Sequence, residues 1–170
     1  MHRTLKKIIF IGVALLASAY VLWSLLLPRY LIVESGMAVS ISAPVFFQCI
    51  NNAKNWQKWG GEWNHSGIHL KKNDQIALAN LSPNSQLWTI NSLVENEYVA
   101  LQTINNQSFS ISIEDNDPEI WLQLKFESNL GPVFLNRPWY QMQQKTIEYR
   151  LQNMMELMKS GCLPLESTAN

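Results

Sequence analysis

Alternating apolar and polar side chains predict an antiparallel β-sheet through the middle of the chain. The alternation is clearest over 109–114 and 120–127, where Ile, Leu or Phe occupies every second position and mostly polar residues lie between them. A strand of this kind has one buried and one solvated face. Seven segments follow the pattern, namely 32–41, 68–70, 76–80, 87–94, 98–104, 109–114 and 120–127.

The segment from Pro138 to Ser160 has a helical pattern instead. Its apolar positions recur every three or four residues, which predicts one long amphipathic helix. Pro138 suits a first turn, Gly161 suits a left-handed cap, and Pro164 prevents continuation. The buried stripe is predicted to contain Tyr140, Gln144, Ile147, Leu151, Met154, Met155 and Met158.

Two short helices are predicted at 45–50 and 53–59, after the break at Ala43-Pro44. The order is then one strand, two short helices, six strands and the long helix. A sheet with one dry face needs a cover, and the terminal helix is the only long apolar stripe that can supply it. We therefore predict an α+β domain over 29–162, followed by a flexible tail at 163–170.

The first part of the chain, 1–28, is predicted to be a transmembrane signal anchor. Twenty uncharged and mostly aliphatic residues run from Ile8 to Leu27, the length that a bilayer core requires. Arg3, Lys6 and Lys7 precede them, so the positive-inside rule puts the N-terminus in the cytoplasm and the domain on the extracytoplasmic side. The small residues Ala17-Ser18-Ala19 leave a cleaved signal peptide open, and a buried helix of a soluble domain is a third alternative.

Charge excludes one class of function. The chain has 13 basic and 13 acidic residues, and three of the basic ones lie before the apolar segment. The remainder is therefore mildly acidic and has no basic stripe. We expect no nucleic-acid partner.

The two cysteines, Cys49 and Cys162, would lie in an oxidising compartment if that topology holds. A disulfide between them is one alternative. Simple burial in the core is the more common role for a cysteine such as Cys49, which is flanked by Phe46, Phe47 and Ile50.

The opening of the domain contains Val33-Glu34-Ser35, a strand ending at Ala43-Pro44, then Val45-Phe46, and Asn55-Trp56 with Trp59. In these residues it resembles START-like domains, also called SRPBCC or polyketide-cyclase-like. The resemblance extends from Leu31 to Ser160. It implies a helix-grip fold, in which a seven-stranded antiparallel sheet wraps around a long C-terminal helix. In this family the cavity between sheet and helix often holds a lipid or another apolar molecule.

If such a cavity exists, residues on the apolar faces should line it. The candidate ligand-binding residues are Trp63, Ile68, Leu70, Trp88, Ile90, Phe109, Ile111, Leu122, Leu124, Tyr140, Gln144, Ile147, Leu151, Met154 and Met158. Trp88 is predicted to share a face with Ile90 and Val94, whereas Trp121 is predicted to face solvent.

The cluster of Trp56, Trp59 and Trp63 has two interpretations. The rings could form an aromatic rim for a ligand or for lipid headgroups. The resemblance favours a structural plug for Trp56 and Trp59, and leaves Trp63 as the rim candidate.

The sequence contains no recognisable catalytic or metal site. His65 and His69 lie four residues apart, but in a strand that spacing separates them by about 13 Å, too far for one ion. We therefore expect no metal and no cofactor, and we assign no catalytic residue.

Two classes of function remain. We favour a non-catalytic module that binds an apolar small molecule or lipid and reaches the membrane through Ile8 to Leu27. The alternative is an enzyme of the cyclase or dehydratase kind, in which polar groups in the same cavity would move protons. A scaffold domain whose core is filled by side chains is a third possibility. The oligomeric state is not predicted.

Overall fold

The computed structural model describes residues 2–63, 68–79, 81, 86–116, 118–130 and 137–163. The elements are α1 (His2–Leu26), β1 (Tyr30–Val39), α2 (Ala43–Ile50), α3 (Ala53–Lys58), β2 (Gly61–Trp63), β3 (Gln75–Leu78), β4 (Leu87–Val94), β5 (Tyr98–Gln102), β6 (Gln107–Asn116), β7 (Glu119–Asn129) and α4 (Arg137–Cys162). The predicted α+β class and the order of elements are confirmed. The predicted tail lies outside the described residues, apart from Leu163.

The chain forms two compact units. The first contains residues 1–31 and 129–144, and the second contains 32–128 and the chain from 145 onward. The predicted boundaries cannot be compared directly with this division, because they separate an anchor (1–28) from a domain (29–162) along the sequence, whereas each unit combines distant parts of the chain. They stay a prediction.

The first unit contains α1, whose segment Lys6–Leu26 is long and apolar enough to cross a membrane. Only 6% of that segment is buried, whereas the core helix of a soluble protein is mostly buried. Two hydrogen bonds hold the chain after α1. The backbone N–H of Leu130 donates to the carbonyl oxygen of Arg29 at 3.0 Å, and Arg137 Nη1 donates to the carbonyl oxygen of Leu27 at 3.1 Å.

The second unit contains most of a seven-stranded sheet with the order β1-β7-β6-β5-β4-β3-β2. The pairs from β2 to β7 are antiparallel, and the longest of them joins β6 and β7 over ten residue pairs from Gln107↔Ser128 to Asn116↔Glu119. Most inward positions of these strands are apolar and buried, as the alternation predicts, and Ser128 on β7 is a buried polar exception. The polar positions between them face solvent or are half-buried.

One predicted strand is assigned to the wrong residues. The strand next to β3 is β2, where Gly61 pairs with Leu78, and it is not the predicted segment 68–70. Gly60 has a φ of 85°, a conformation that glycine adopts without strain, and it turns the chain from α3 directly into β2. Within 68–70, His69 forms only an isolated bridge with Asn52.

The prediction that Val94 shares the buried face of Trp88 is wrong, because a β-bulge interrupts β4. The register of β4 against β5 shifts between Ile90 and Ser92, so the residues beyond the shift no longer continue the alternation that begins at Trp88. Val94 is consequently exposed, whereas Trp88 and Ile90 are buried.

The end of α4 also differs from its prediction. The helix continues through Gly161 to Cys162, so Gly161 is a helical residue and not a left-handed cap. A Cβ at this position would lie 3.1 Å from Nε1 of Trp59. The small side chain therefore allows the last turn of α4 to approach that indole closely.

Candidate functional site

The inner side of the sheet in the second unit is the candidate binding face. Its central aromatic residue is Trp88 on β4, whose indole meets Phe109 and Phe126 edge-on, with ring centroids 6.4 and 6.2 Å apart. All three side chains are buried. Edge-to-face packing of this kind is a favoured arrangement for aromatic rings.

The apolar side of α4 is the second part of the candidate site. Within the second unit, Ile147, Leu151, Met154, Met155 and Met158 recur every three or four residues and all are buried. Three of the five are methionines, which have flexible side chains and adapt to irregular neighbours. This part of the predicted stripe is confirmed.

The predicted cavity residues fall into three groups. Tyr140 is half-buried, and Gln144 and Ile68 are exposed. Gln144 lies among exposed residues of α4, where its amide stays hydrated. The side chain of Trp63 lies outside the described residues, although its backbone belongs to β2. The buried group contains Leu70, Trp88, Ile90, Phe109, Ile111, Leu122, Leu124, Ile147, Leu151, Met154 and Met158.

The buried group is tightly packed. Eight of these side chains have an exposed fraction of 0%, which leaves no room for a water molecule beside them. The eight are Trp88, Ile90, Phe109, Ile111, Leu122, Leu124, Leu151 and Met158. Beside these described residues the space is therefore filled by protein.

Trp88 has a buried polar atom without a partner among the described residues, as do Gln107 at Oε1 and Arg137 at Nε. In Trp88 this atom is the indole Nε1, which carries an N–H donor. Burying such a donor without an acceptor costs about 1–3 kcal/mol. A hydrogen-bond acceptor placed beside the ring would remove this cost.

The helices α2 and α3 form a cap of buried aromatic residues. Trp56 Nε1 donates to the carbonyl oxygen of Ile50 at 2.6 Å, and its ring lies 5.7 Å from that of Trp59, centroid to centroid. Both indoles are almost completely buried, as expected for a structural plug. Asn52 caps the N-terminus of α3, where its side-chain oxygen accepts from the backbone N–H of Lys54.

A disulfide joins this cap to α4. Cys49 near the end of α2 is bonded to Cys162 in the last turn of α4, and their Cα atoms are 5.6 Å apart. The interpretation of Cys49 as an unpaired core residue is therefore wrong. Sequence spacing gave no sign of the pairing, because it arises only when the ends of the two helices become neighbours.

The described residues contain no cluster of side chains that could form a metal site. No three His, Cys, Asp or Glu side chains in the described ranges could hold one ion. His65 lies outside these ranges.

Solved structures show the same arrangement of a curled sheet and a long helix. The Aha1 dimer from Colwellia psychrerythraea has a TM-score of 0.55 and 12% identity, covering 77% of this chain and 98% of that one. A protein of unknown function from Staphylococcus aureus has a TM-score of 0.58 and 10% identity, over 78% and 93% of the two chains. DynU16, a protein in the dynemicin biosynthetic locus, has a TM-score of 0.58 and 4% identity, over 78% and 46%.

This chain has a helix-grip fold. At identities this low the likeness concerns the fold alone, and function has to be argued from the site. No protein-family model matches the sequence, and a comparison with curated proteins finds no match.

The helix-grip sheet also has a depression on its outer face that the sequence analysis missed. It has a volume of about 720 Å³, and exposed Leu87 and Ile104 line it together with polar residues of β3, β4 and β5. Asn91 Nδ2 donates to Gln102 Oε1 at 3.3 Å within it. The available signal was the run of outward-facing polar residues on three neighbouring strands, where Thr89 is paired with both Gln75 and Gln102.

Proposed function

We propose that this protein is a membrane-tethered, non-catalytic helix-grip domain that binds an apolar small molecule or lipid on the extracytoplasmic side of the membrane. The ligand would lie between the inner face of the sheet and the methionine-rich side of α4. The tether would be the apolar segment from Ile8 to Leu27.

The tether and its orientation rest on α1 and on the disulfide. The segment Lys6–Leu26 has a mean hydropathy of 2.3 and only 6% of it is buried, so a bilayer would cover its apolar side chains. Basic residues precede it, as in a span with a cytoplasmic N-terminus. The bond between Cys49 and Cys162 supports an oxidising compartment for the domain that follows.

The observation that carries the binding proposal is the unpartnered Nε1–H of Trp88. It lies among apolar side chains of the inner face, where the polar residues Gln107 and Ser128 are bonded to each other, so one oxygen of a largely apolar molecule would satisfy it. Because the side chains there are fully packed, entry of a ligand requires repacking. Met154, Met155 and Met158 are the residues best suited to it, since their side chains are unbranched.

The choice between binding and catalysis depends on ionisable residues near the ligand. The almost fully buried polar residues in the described part of the chain are Ser24, Thr103 and Ser128, and none of the three is ionisable. A cyclase or dehydratase needs a buried acid or base that contacts the substrate. A buried ionisable residue within reach of Trp88 would have favoured the enzyme.

A filled scaffold domain is the second candidate. It is favoured by the zero exposed fraction of side chains such as Trp88, Phe109 and Leu151, which leaves no water-sized space beside them. In this alternative the inner face serves only stability, and the domain acts through its surface.

Native mass spectrometry and lipid extraction of the full-length protein, purified in detergent, separate the two candidates. Binding predicts an apolar molecule that co-purifies with the wild-type protein and is reduced in Trp88→Phe, which removes the donor. Trp121→Phe is the matched control, because Trp121 lies on the outer face and should leave the ligand in place. A ligand-free mass for the wild type, together with no uptake of added lipid, would favour the scaffold.

A further inference from the structure

We propose that the first turns of α4 form a second membrane contact, in which Trp139 and Met142 insert into the headgroup region of the bilayer that α1 crosses. This inference rests on the proposed membrane tether. It involves only residues of the first compact unit.

The position of this contact follows from the length of α1. Lys6–Leu26 has 21 residues, and at 1.5 Å per residue it is about 32 Å long, close to the thickness of the hydrocarbon core. If α1 spans the membrane, the carbonyl oxygen of Leu27 lies at the boundary between hydrocarbon and headgroups.

Arg137 then brings α4 to the same depth. Its Nη1 donates to that carbonyl oxygen of Leu27 at 3.1 Å, where a positive group also complements the negative C-terminal end of the helix dipole of α1. Arg137 is the first residue of α4. The start of α4 is therefore held at the membrane surface.

Two large apolar side chains are exposed at this position. Trp139 is 62% exposed and Met142 is 70% exposed, and their spacing of three residues places them on one side of the helix. Exposed hydrophobic residues are common singly, but here a pair lies within two turns of the residue bonded to the membrane helix. Tryptophan favours the interface, because its ring combines an apolar body with one N–H donor.

Other aromatic residues mark the same end of α1. The rings of Tyr20 and Trp23 pack edge-on, with centroids 6.3 Å apart, and Tyr30 follows shortly after the helix. The remainder of α1 contains no tryptophan or tyrosine. Such a belt is typical of the membrane–water interface, and Trp139 would extend it to a second helix.

Site-specific labelling of the full-length protein in lipid nanodiscs tests the contact. Both native cysteines are disulfide-bonded, so an introduced cysteine is the reactive thiol for an environment-sensitive fluorophore. Met142→Cys is the test position, and Gln144→Cys, at an exposed residue of the same unit on the opposite side of α4, is the matched control. Val13→Cys reports whether α1 itself is in the bilayer. The nanodiscs contain phosphatidylcholine, phosphatidylglycerol and a lipid with a nitroxide on its headgroup.

The expected result is a blue-shifted emission at position 142 that the headgroup nitroxide quenches, with both effects much weaker at position 144. Adding Trp139→Ser to Met142→Cys should reduce both effects. If the label at position 13 is lipid-protected but the label at 142 behaves like that at 144, the second contact is refuted and the tether stands. If the label at position 13 is accessible to water, the tether fails, and the second contact fails with it.

Discussion

Removing the disulfide between Cys49 and Cys162 should destabilise the second unit strongly. The bond closes a loop with a sequence separation of 113 residues. In the chain-entropy model, a loop of this length restricts the unfolded state by about 5 kcal/mol, and native disulfides typically contribute about 2–5 kcal/mol. At about 2–4 °C per kcal/mol for a chain of this size, we expect the Cys49→Ala/Cys162→Ala variant to melt roughly 10 °C lower.

Near-ultraviolet circular dichroism of the full-length protein in detergent is a suitable assay. It follows buried aromatic side chains such as Trp56 and Trp59, which lie in the cap next to the disulfide, and it is insensitive to residual helix in α1. A reducing agent should lower the melting temperature of the wild type similarly and leave the double variant unchanged. If wild type and variant melt within about 2 °C of each other, the bond does not constrain the unfolded chain as argued.

Three further predictions concern single contacts and topology. Trp56→Phe removes a buried hydrogen bond, whereas Trp88→Phe removes none among the described residues. We therefore expect Trp56→Phe to lower the free energy of unfolding by about 1–2 kcal/mol more than Trp88→Phe does. Equal losses in chemical denaturation would contradict this. Gly36→Ala places a Cβ 2.8 Å from the Trp121 indole and should lower the free energy of unfolding by about 1 kcal/mol. In a double-mutant cycle, the same substitution should cause no such loss in a Trp121→Ala background. Alkaline phosphatase fused after Asn170 should be active and a fluorescent protein fused there should be dark; the reverse pattern would place the domain in the cytoplasm.

Periodicity predicted most of the fold because burial follows it directly. The alternation over Phe109, Ile111 and Leu122 identified inner-face positions correctly, and the stripe from Ile147 to Met158 identified the buried side of α4. These are local patterns of side-chain polarity, and a sheet or helix with one dry face requires them.

The errors arose where pairing with another strand or helix decides the structure. The bulge that exposes Val94 depends on the register between β4 and β5, and the choice of β2 over 68–70 depends on pairing with β3. The Cys49–Cys162 bond likewise requires two helix ends to meet. No periodicity within a single segment contains that information.

The candidate site was predicted only as a set of apolar faces. The sequence assigned Trp88 to the interior correctly, but the unpartnered state of its Nε1–H depends on every neighbouring side chain. The hydrogen bond from Arg137 to Leu27 was not predictable either, since it joins residues that are 110 positions apart.

The strand order determines when β1 can pair with its neighbour during synthesis. β1 lies beside β7, which begins about 80 residues after β1 ends. At about 5–20 residues synthesised per second, β1 remains unpaired for roughly 4–16 seconds before β7 begins to be made. If the chain is exported as it is made, an uncovered edge near the membrane and a reduced Cys49 are available to chaperones and thiol oxidants throughout that interval.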